Sequence, residues 1–185
     1  HNINLKNCNF TGVYGQPVYI TGQTDKPNYE NLVINGSQVL SQLPYKTYSQ
    51  WMAHSEMQRN PDPCYLDFAK TPKWGYVVGI EQEAILDAYL ASKDESIINY
   101  LKQYPAKMID EKGNITGYEY SAFNLDNTRP ARFILRMNEL FPEKKNELAL
   151  KTIFKQLEKQ PRTNDGVWWH KAIYAYQVWL DGVYM

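Results

Sequence analysis

Hydrophobic positions change period partway along the chain. Up to about residue 40 they alternate with polar ones or come in short clusters. His1-Asn2-Ile3-Asn4-Leu5-Lys6-Asn7 alternates, and Phe10, Val13, Val18-Tyr19-Ile20 and Leu32-Val33-Ile34 follow. Gly12, Gly15, Gly22 and Gly36 punctuate these clusters, so the pattern predicts short strands. Asn-rich short strands at this spacing suit the stacked coils of a β-solenoid, and a short β-rich cap or linker fits as well.

Helical period takes over near Tyr45. A first helix is predicted over 47–59, ended by Pro61 and Pro63. A second covers 76–92 and is apolar over a wide arc: Val77, Val78, Ile80, Ala84, Ile85, Ala88, Tyr89 and Leu90. Such a helix is buried on more than one side. The third, 94–108, carries the stripe Ile97, Ile98, Leu101, Tyr104, Met108, with Pro105 expected to kink or shorten it. After Pro130, Phe133, Ile134, Met137, Leu140 and Phe141 mark a fourth. The fifth, 143–160, has the stripe Leu148, Ala149, Thr152, Ile153, Gln156, Leu157 opposite a Lys/Glu face. Pro161 stops it, a Trp-rich loop follows, and a sixth helix is expected from about Tyr176.

Broadly apolar helices thus alternate with amphipathic ones. The loops entering the apolar helices hold the unusual residues: Trp74, Asp126, and the stretch from Trp168 to Asp181. Their separations, 126 − 74 = 52 and 181 − 126 = 55, suggest a repeat of one helix pair. Stacked α-hairpins build a solenoid or a closed toroid. In a toroid the inner helices run the same way, so their entry loops converge on one end. The fold class expected from the pattern is mainly α: stacked α-hairpins, as a solenoid or a toroid, behind a β-rich segment of residues 1–40, with the helical domain from 41 to 185.

Lys+Arg and Asp+Glu both total 20, which removes the electrostatic argument for a nucleic-acid or anionic-membrane partner. Fifteen Tyr and five Trp suit stacking on sugar faces, or simply a helical core. Cys8 and Cys64 form no CxxC pair, so neither a disulfide framework nor a structural zinc site is expected. The histidines His1, His54 and His170 have no metal spacing, and no cofactor motif such as GxGxxG, a P-loop or GxSxG is present. The chain lacks a starting Met and stops in an apolar run, which reads as a piece of a longer polypeptide with covalently linked flanking domains.

Three residues carry candidate chemistry. Asp181 lies among Trp179, Leu180, Val183 and Tyr184. Poor hydration there would disfavour its charge and suit it to donate a proton as a general acid. A helix cap, or an ion pair with Lys171 or Arg162, is the structural alternative. Asp126 precedes a helix and could serve as its cap, as could Asn124, Asn127 or Thr128. One repeat from Asp181, it could equally face that residue, and paired carboxylates are the usual tool for cleaving glycosidic bonds. His170, after Trp168-Trp169, is either a ligand contact or a core histidine donating to a backbone carbonyl.

Phe123-Asn124-Leu125-Asp126-Asn127-Thr128-Arg129-Pro130 resembles the NLD-N-x-x-P segment of glycoside hydrolase family 105, the unsaturated rhamnogalacturonyl hydrolases. Gln160-Pro161-Arg162-Thr163 through Trp169-His170-Lys171 resembles that family's QPRT…FWHK stretch. Ile173-Tyr174-Ala175-Tyr176-Gln177-Val178-Trp179-Leu180-Asp181-Gly182-Val183-Tyr184-Met185 resembles its IYPYQMWLDGLYM. The similarity runs from about Thr47 to Met185. Ala175 departs from the usual Pro, Val183 from Leu, and Asp165-Gly166-Val167 from a more Gly-rich turn. Residues 1–40 resemble the last β-helix coils of family 28 polygalacturonases, without that family's catalytic motifs.

The resemblance implies an (α/α)6 barrel in which Asp181 is the catalytic acid/base and Asp126 the second carboxylate. It makes His170 a substrate contact, with Trp74, Tyr76 and Trp169 as further substrate-binding aromatics. It implies hydration of the C4=C5 double bond of a terminal unsaturated galacturonic acid in pectin-derived oligosaccharides, without metal or cofactor. An ordinary inverting glycosidase on a six-hairpin toroid and a non-catalytic carbohydrate-binding toroid are the competing classes. The predicted helices are half of those a barrel needs, so the 185-residue piece alone is expected to be inactive. The compartment stays open; a polygalacturonase-like tail would favour an extracytoplasmic setting.

Overall fold

A computed structural model describes residues 4–6, 9–10, 28–30, 32–34, 37–39 and 45–185. The chain divides into two compact units, His1–Trp51 and Met52–Met185. The sequence boundary at residue 40 falls within the first. The strands expected at Val13 and Val18-Tyr19-Ile20, the four glycines between strands, Cys8 and His1 lie outside the described residues.

In the first unit, β1 (Asn4–Lys6) pairs parallel with β3 (Asn28–Glu30), and β2 (Asn9–Phe10) with β4 (Leu32–Ile34). The registers Asn4↔Asn28 and Asn9↔Val33 share one shift, 28 − 4 = 24 and 33 − 9 = 24. A constant shift in parallel pairing is what one chain coil lying on the next produces. β5 (Ser37–Val39) pairs antiparallel with β4.

The helices are α1 (Tyr48–Arg59), α2 (Tyr76–Ser92), α3 (Glu95–Leu101), α4 (Gln103–Met108), α5 (Arg129–Leu140), α6 (Lys144–Lys159) and α7 (Leu180–Tyr184). Lys93 ends α2 in the left-handed region at φ 57°, and Asp94 caps α3 by accepting from the Ser96 N–H at 3.0 Å. The helix expected over 94–108 is two helices. Pro105 has no N–H to offer the Leu101 carbonyl one turn back, and the chain breaks at Lys102. The expected sixth helix starts at Leu180 instead of Tyr176, because Tyr176 takes a left-handed φ of 63° in a turn.

α2 packs antiparallel to α3, and α4 continues toward the entrance of α2. The Tyr104 hydroxyl donates to the Lys73 carbonyl, at the entrance of α2, over 3.0 Å. α6 returns antiparallel to α5: near its end, Gln156 donates to the Asn124 carbonyl just ahead of α5. Between the hairpins, α2 and α5 run the same way. Gly79 lies against Pro130, Glu83 pairs with Arg129, Arg132 and Arg136, and Asp87 pairs with Arg136. Rising numbers on one helix meet rising numbers on the other. The core holds Val78, Leu86, Ile97, Leu101, Tyr104, Phe133, Ile134 and Ile153. Fully burying each large side chain contributes about 1.5–3 kcal/mol. Among the described residues no helix is long and apolar enough to cross a membrane.

Candidate active site

Parallel α2 and α5 put their entry loops at one end, and those loops touch. The Trp74 indole N–H donates to the Asn127 carbonyl at 2.8 Å. The loop before α5 closes as a 3-10 turn, Leu125–Thr128, capped by Asn124, whose side chain accepts from the Asp126 N–H at 3.0 Å. Asn124 therefore does the capping that sequence left open to Asp126. The Asp126 carboxyl is instead an ion-pair partner of Lys171, 2.6 Å away, and lies 3.4 Å from His170 Nε2.

The His170 loop is stitched to this turn. Leu125 N–H donates to the His170 carbonyl at 3.1 Å and Ala172 N–H to the Ala122 carbonyl at 3.0 Å. From α6 comes a tie that sequence reasoning missed. Buried Gln160 donates to the Phe123 carbonyl at 2.7 Å and to the Trp169 carbonyl at 2.8 Å, while Gln156 donates to Gln160. The signal for it was Gln156 standing in the apolar stripe of its helix, since a buried amide must find partners.

Asp181 is the second residue of α7, and its Oδ1 accepts from the Gly182 N–H at 2.9 Å. One ligand atom each from Asp126, His170 and Asp181 lie within 4.8 Å of one another. The apolar surroundings expected for Asp181 are not found. Asp181 is exposed, and Leu180 and Val183 are turned outward at 87% and 68% exposure. Nor does Asp181 make the ion pairs considered for it: Lys171 goes to Asp126, and Arg162 donates to the Gly166 carbonyl.

His170 is 1% exposed, and neither ring nitrogen has a hydrogen-bond partner among the described residues. It is thus not a core histidine anchored to a carbonyl. Its ring lies flat on Trp179, with centroids 4.4 Å apart and planes 11° apart. Burial pulls the imidazole pKa below its usual value, against the opposing fields of Asp126 and Asp181. The expected aromatic contacts divide. Trp74 is buried in the core, stacked on Tyr104, and is no part of the cluster. Its place is set by the indole hydrogen bond, not by a ligand. Tyr76 stands exposed at the first turn of α2. Trp169, half-buried, packs on Tyr176.

The cluster offers two carboxylates and an imidazole, a donor set that could hold a cation. The Lys171 ammonium on Asp126 already supplies positive charge there, which favours acid–base use of the group. Behind His170 and Trp179 a cleft of about 440 Å³ runs between α5, α6 and α7, lined by Leu135, Ile153, Phe154 and Val183. Its walls are mainly apolar, with Thr128, Arg132 and Arg162 as polar exceptions.

Stacked α-hairpins with acidic residues gathered at the entry-loop end are the architecture of the helical-toroid class. The model of Glycosyl Hydrolase Family 88 matches residues 48–185, and the chain belongs to that family. A solved structure of a family 105 glycoside hydrolase from C. acetobutylicum ATCC 824 is similar at a TM-score of 0.68 and 31% identity. The match covers 75% of this chain and 37% of that one. The described hairpins are accordingly part of an (α/α)6 toroid, as expected from the sequence.

Proposed function

We propose that the protein hydrolyses oligosaccharides that end in an unsaturated uronic acid, by hydrating the C4=C5 double bond. Pectin-derived, rhamnogalacturonan-type oligosaccharides are the substrates we favour. The observation that carries this reading is the meeting of Asp126, His170 and Asp181 within 4.8 Å in a chain of family 88. The double bond belongs to an enol ether. Asp181, reachable from solvent, gives its proton to C4, and positive charge develops at C5, shared with the ring oxygen. Water adds to C5 and returns a proton to Asp181. The hemiketal then opens and the bond to the next sugar breaks. Asp126 stabilises the developing charge and, with His170, orients the sugar. This route calls on no metal or cofactor.

The test uses the full-length protein and an unsaturated disaccharide alongside its saturated counterpart. The ultraviolet absorbance of the double bond should fall as sugar is released, and the saturated sugar should remain intact. Activity on the saturated sugar alone would make the protein an ordinary glycosidase. Binding with unchanged sugar recovered would make it a binding module.

A further inference from the structure

Among the described residues the His170 ring makes no hydrogen bond, only a 3.4 Å approach of Nε2 to Asp126, which leaves its orientation to packing. One face lies on Trp179. The same indole also stacks with Tyr174, with centroids 5.0 Å apart and planes 15° apart. Trp179 is itself tethered: its N–H donates to the Gln177 side chain at 3.0 Å, and the Gln177 carbonyl accepts from the His170 N–H at 2.8 Å. At the ring edge, a Cβ built on Gly182 would lie 2.6 Å from His170 Nδ1 and 3.2 Å from Leu125 Cδ1. Only a bare backbone fits there.

We propose that Trp179 is a positioning residue: stacked with both Tyr174 and His170, it holds the imidazole in one plane against the bare backbone of Gly182, with Nε2 toward Asp126. The same indole lies under the Lys171 ammonium, 5.9 Å from the ring centroid, and Lys171 is the partner of Asp126. Trp179 also immediately precedes α7, the helix that bears Asp181. One side chain thereby sets the relation between the imidazole and both carboxyls. The catalytic consequence rests on the hydration reading; the structural claim does not.

The charged groups facing His170 are Asp126 from the 3-10 turn, Asp181 from α7, and Lys171 from its own loop. The test is long-range nitrogen–proton NMR of the imidazoles across pH in the full chain, without substrate. Wild type and Trp179→Phe, which keeps a flat face, should show His170 as one neutral tautomer. Trp179→Leu fills the space without a flat face. It should mix the tautomers and raise the titration midpoint by about half a unit or more. The signals of His54, which pairs with Asp94 at 2.8 Å, should stay in place. Gly182→Ala should disturb His170 with Trp179 present. If Trp179→Leu loses the native spectrum, Tyr174→Leu decides, with a smaller shift in the same direction expected. An unchanged His170 tautomer and midpoint in the folded Leu variants would overturn the proposal. Failure of the disaccharide assay would leave this outcome untouched.

Discussion

Gly79 in α2 passes so close to Pro130 in α5 that a Cβ on Gly79 would lie 2.7 Å from the proline nitrogen and 2.9 Å from its Cα. The obstacle is backbone, which cannot rotate away. Gly79→Ala should therefore force the two helices apart and destabilise the helical unit by about 1–3 kcal/mol. Urea unfolding measures this as a lower midpoint. The same movement displaces the turn carrying Asp126, so activity should fall even where the protein remains folded.

Glu83 is a buried carboxylate held by Arg129, with Arg132 and Arg136 nearby. The side chains of Arg129 and Glu83 are 4% and 9% exposed, whereas that of Arg132 is 54% exposed. Glu83→Gln leaves the Arg129 guanidinium buried without its counter-charge, and about 3–5 kcal/mol of stability should go. Arg132→Gln removes an exposed partner and should cost at most about 1 kcal/mol. Equal losses in the two variants, measured by urea unfolding, would show that burial does not govern this network. Tyr184, whose hydroxyl accepts from Arg129 at 3.4 Å, connects the network to α7.

These helix contacts bear on what sequence could reveal. The hairpins were legible because apolar stripes and prolines act locally; α2 and α5 fall nearly where their periodicity places them. The candidate residues Asp126, His170 and Asp181 stood out by motif, and the structure brings them within 4.8 Å of one another. What sequence misassigned were orientations. Trp74 looked like a sugar platform and is a core residue, because a hydrogen bond to a loop 53 positions away fixes its indole. Asp181 has apolar neighbours in sequence, and among the described residues Leu180 and Val183 face away from it. The Lys171–Asp126 pair and the Trp179 stack were invisible, since neither partner's composition announces which ring or carboxyl it will meet.

His170 makes stability depend on pH. Its folded pKa lies below the reference 6.5, so the folded chain binds this proton less readily than the unfolded chain does. The contribution is fully present above 6.5 and is lost as pH falls from there toward the lowered folded value. His170→Asn should flatten that part of the stability–pH curve, measured by urea unfolding at successive pH values. An identical slope in the variant would mean that the imidazole is not held neutral by burial.

The central claim is that the proton goes to carbon, at C4, and not to the glycosidic atom. Matched unsaturated substrates with oxygen-linked and sulfur-linked leaving groups test it, with the full-length protein and its Asp181→Asn variant. Sulfur is a poor proton acceptor for an acid catalyst at the glycosidic atom, but a distant bystander when C4 is protonated. Hydration predicts similar rates on the two substrates, both falling on the order of hundredfold in Asp181→Asn. Rapid cleavage of the oxygen-linked substrate with an inert sulfur-linked one would contradict it.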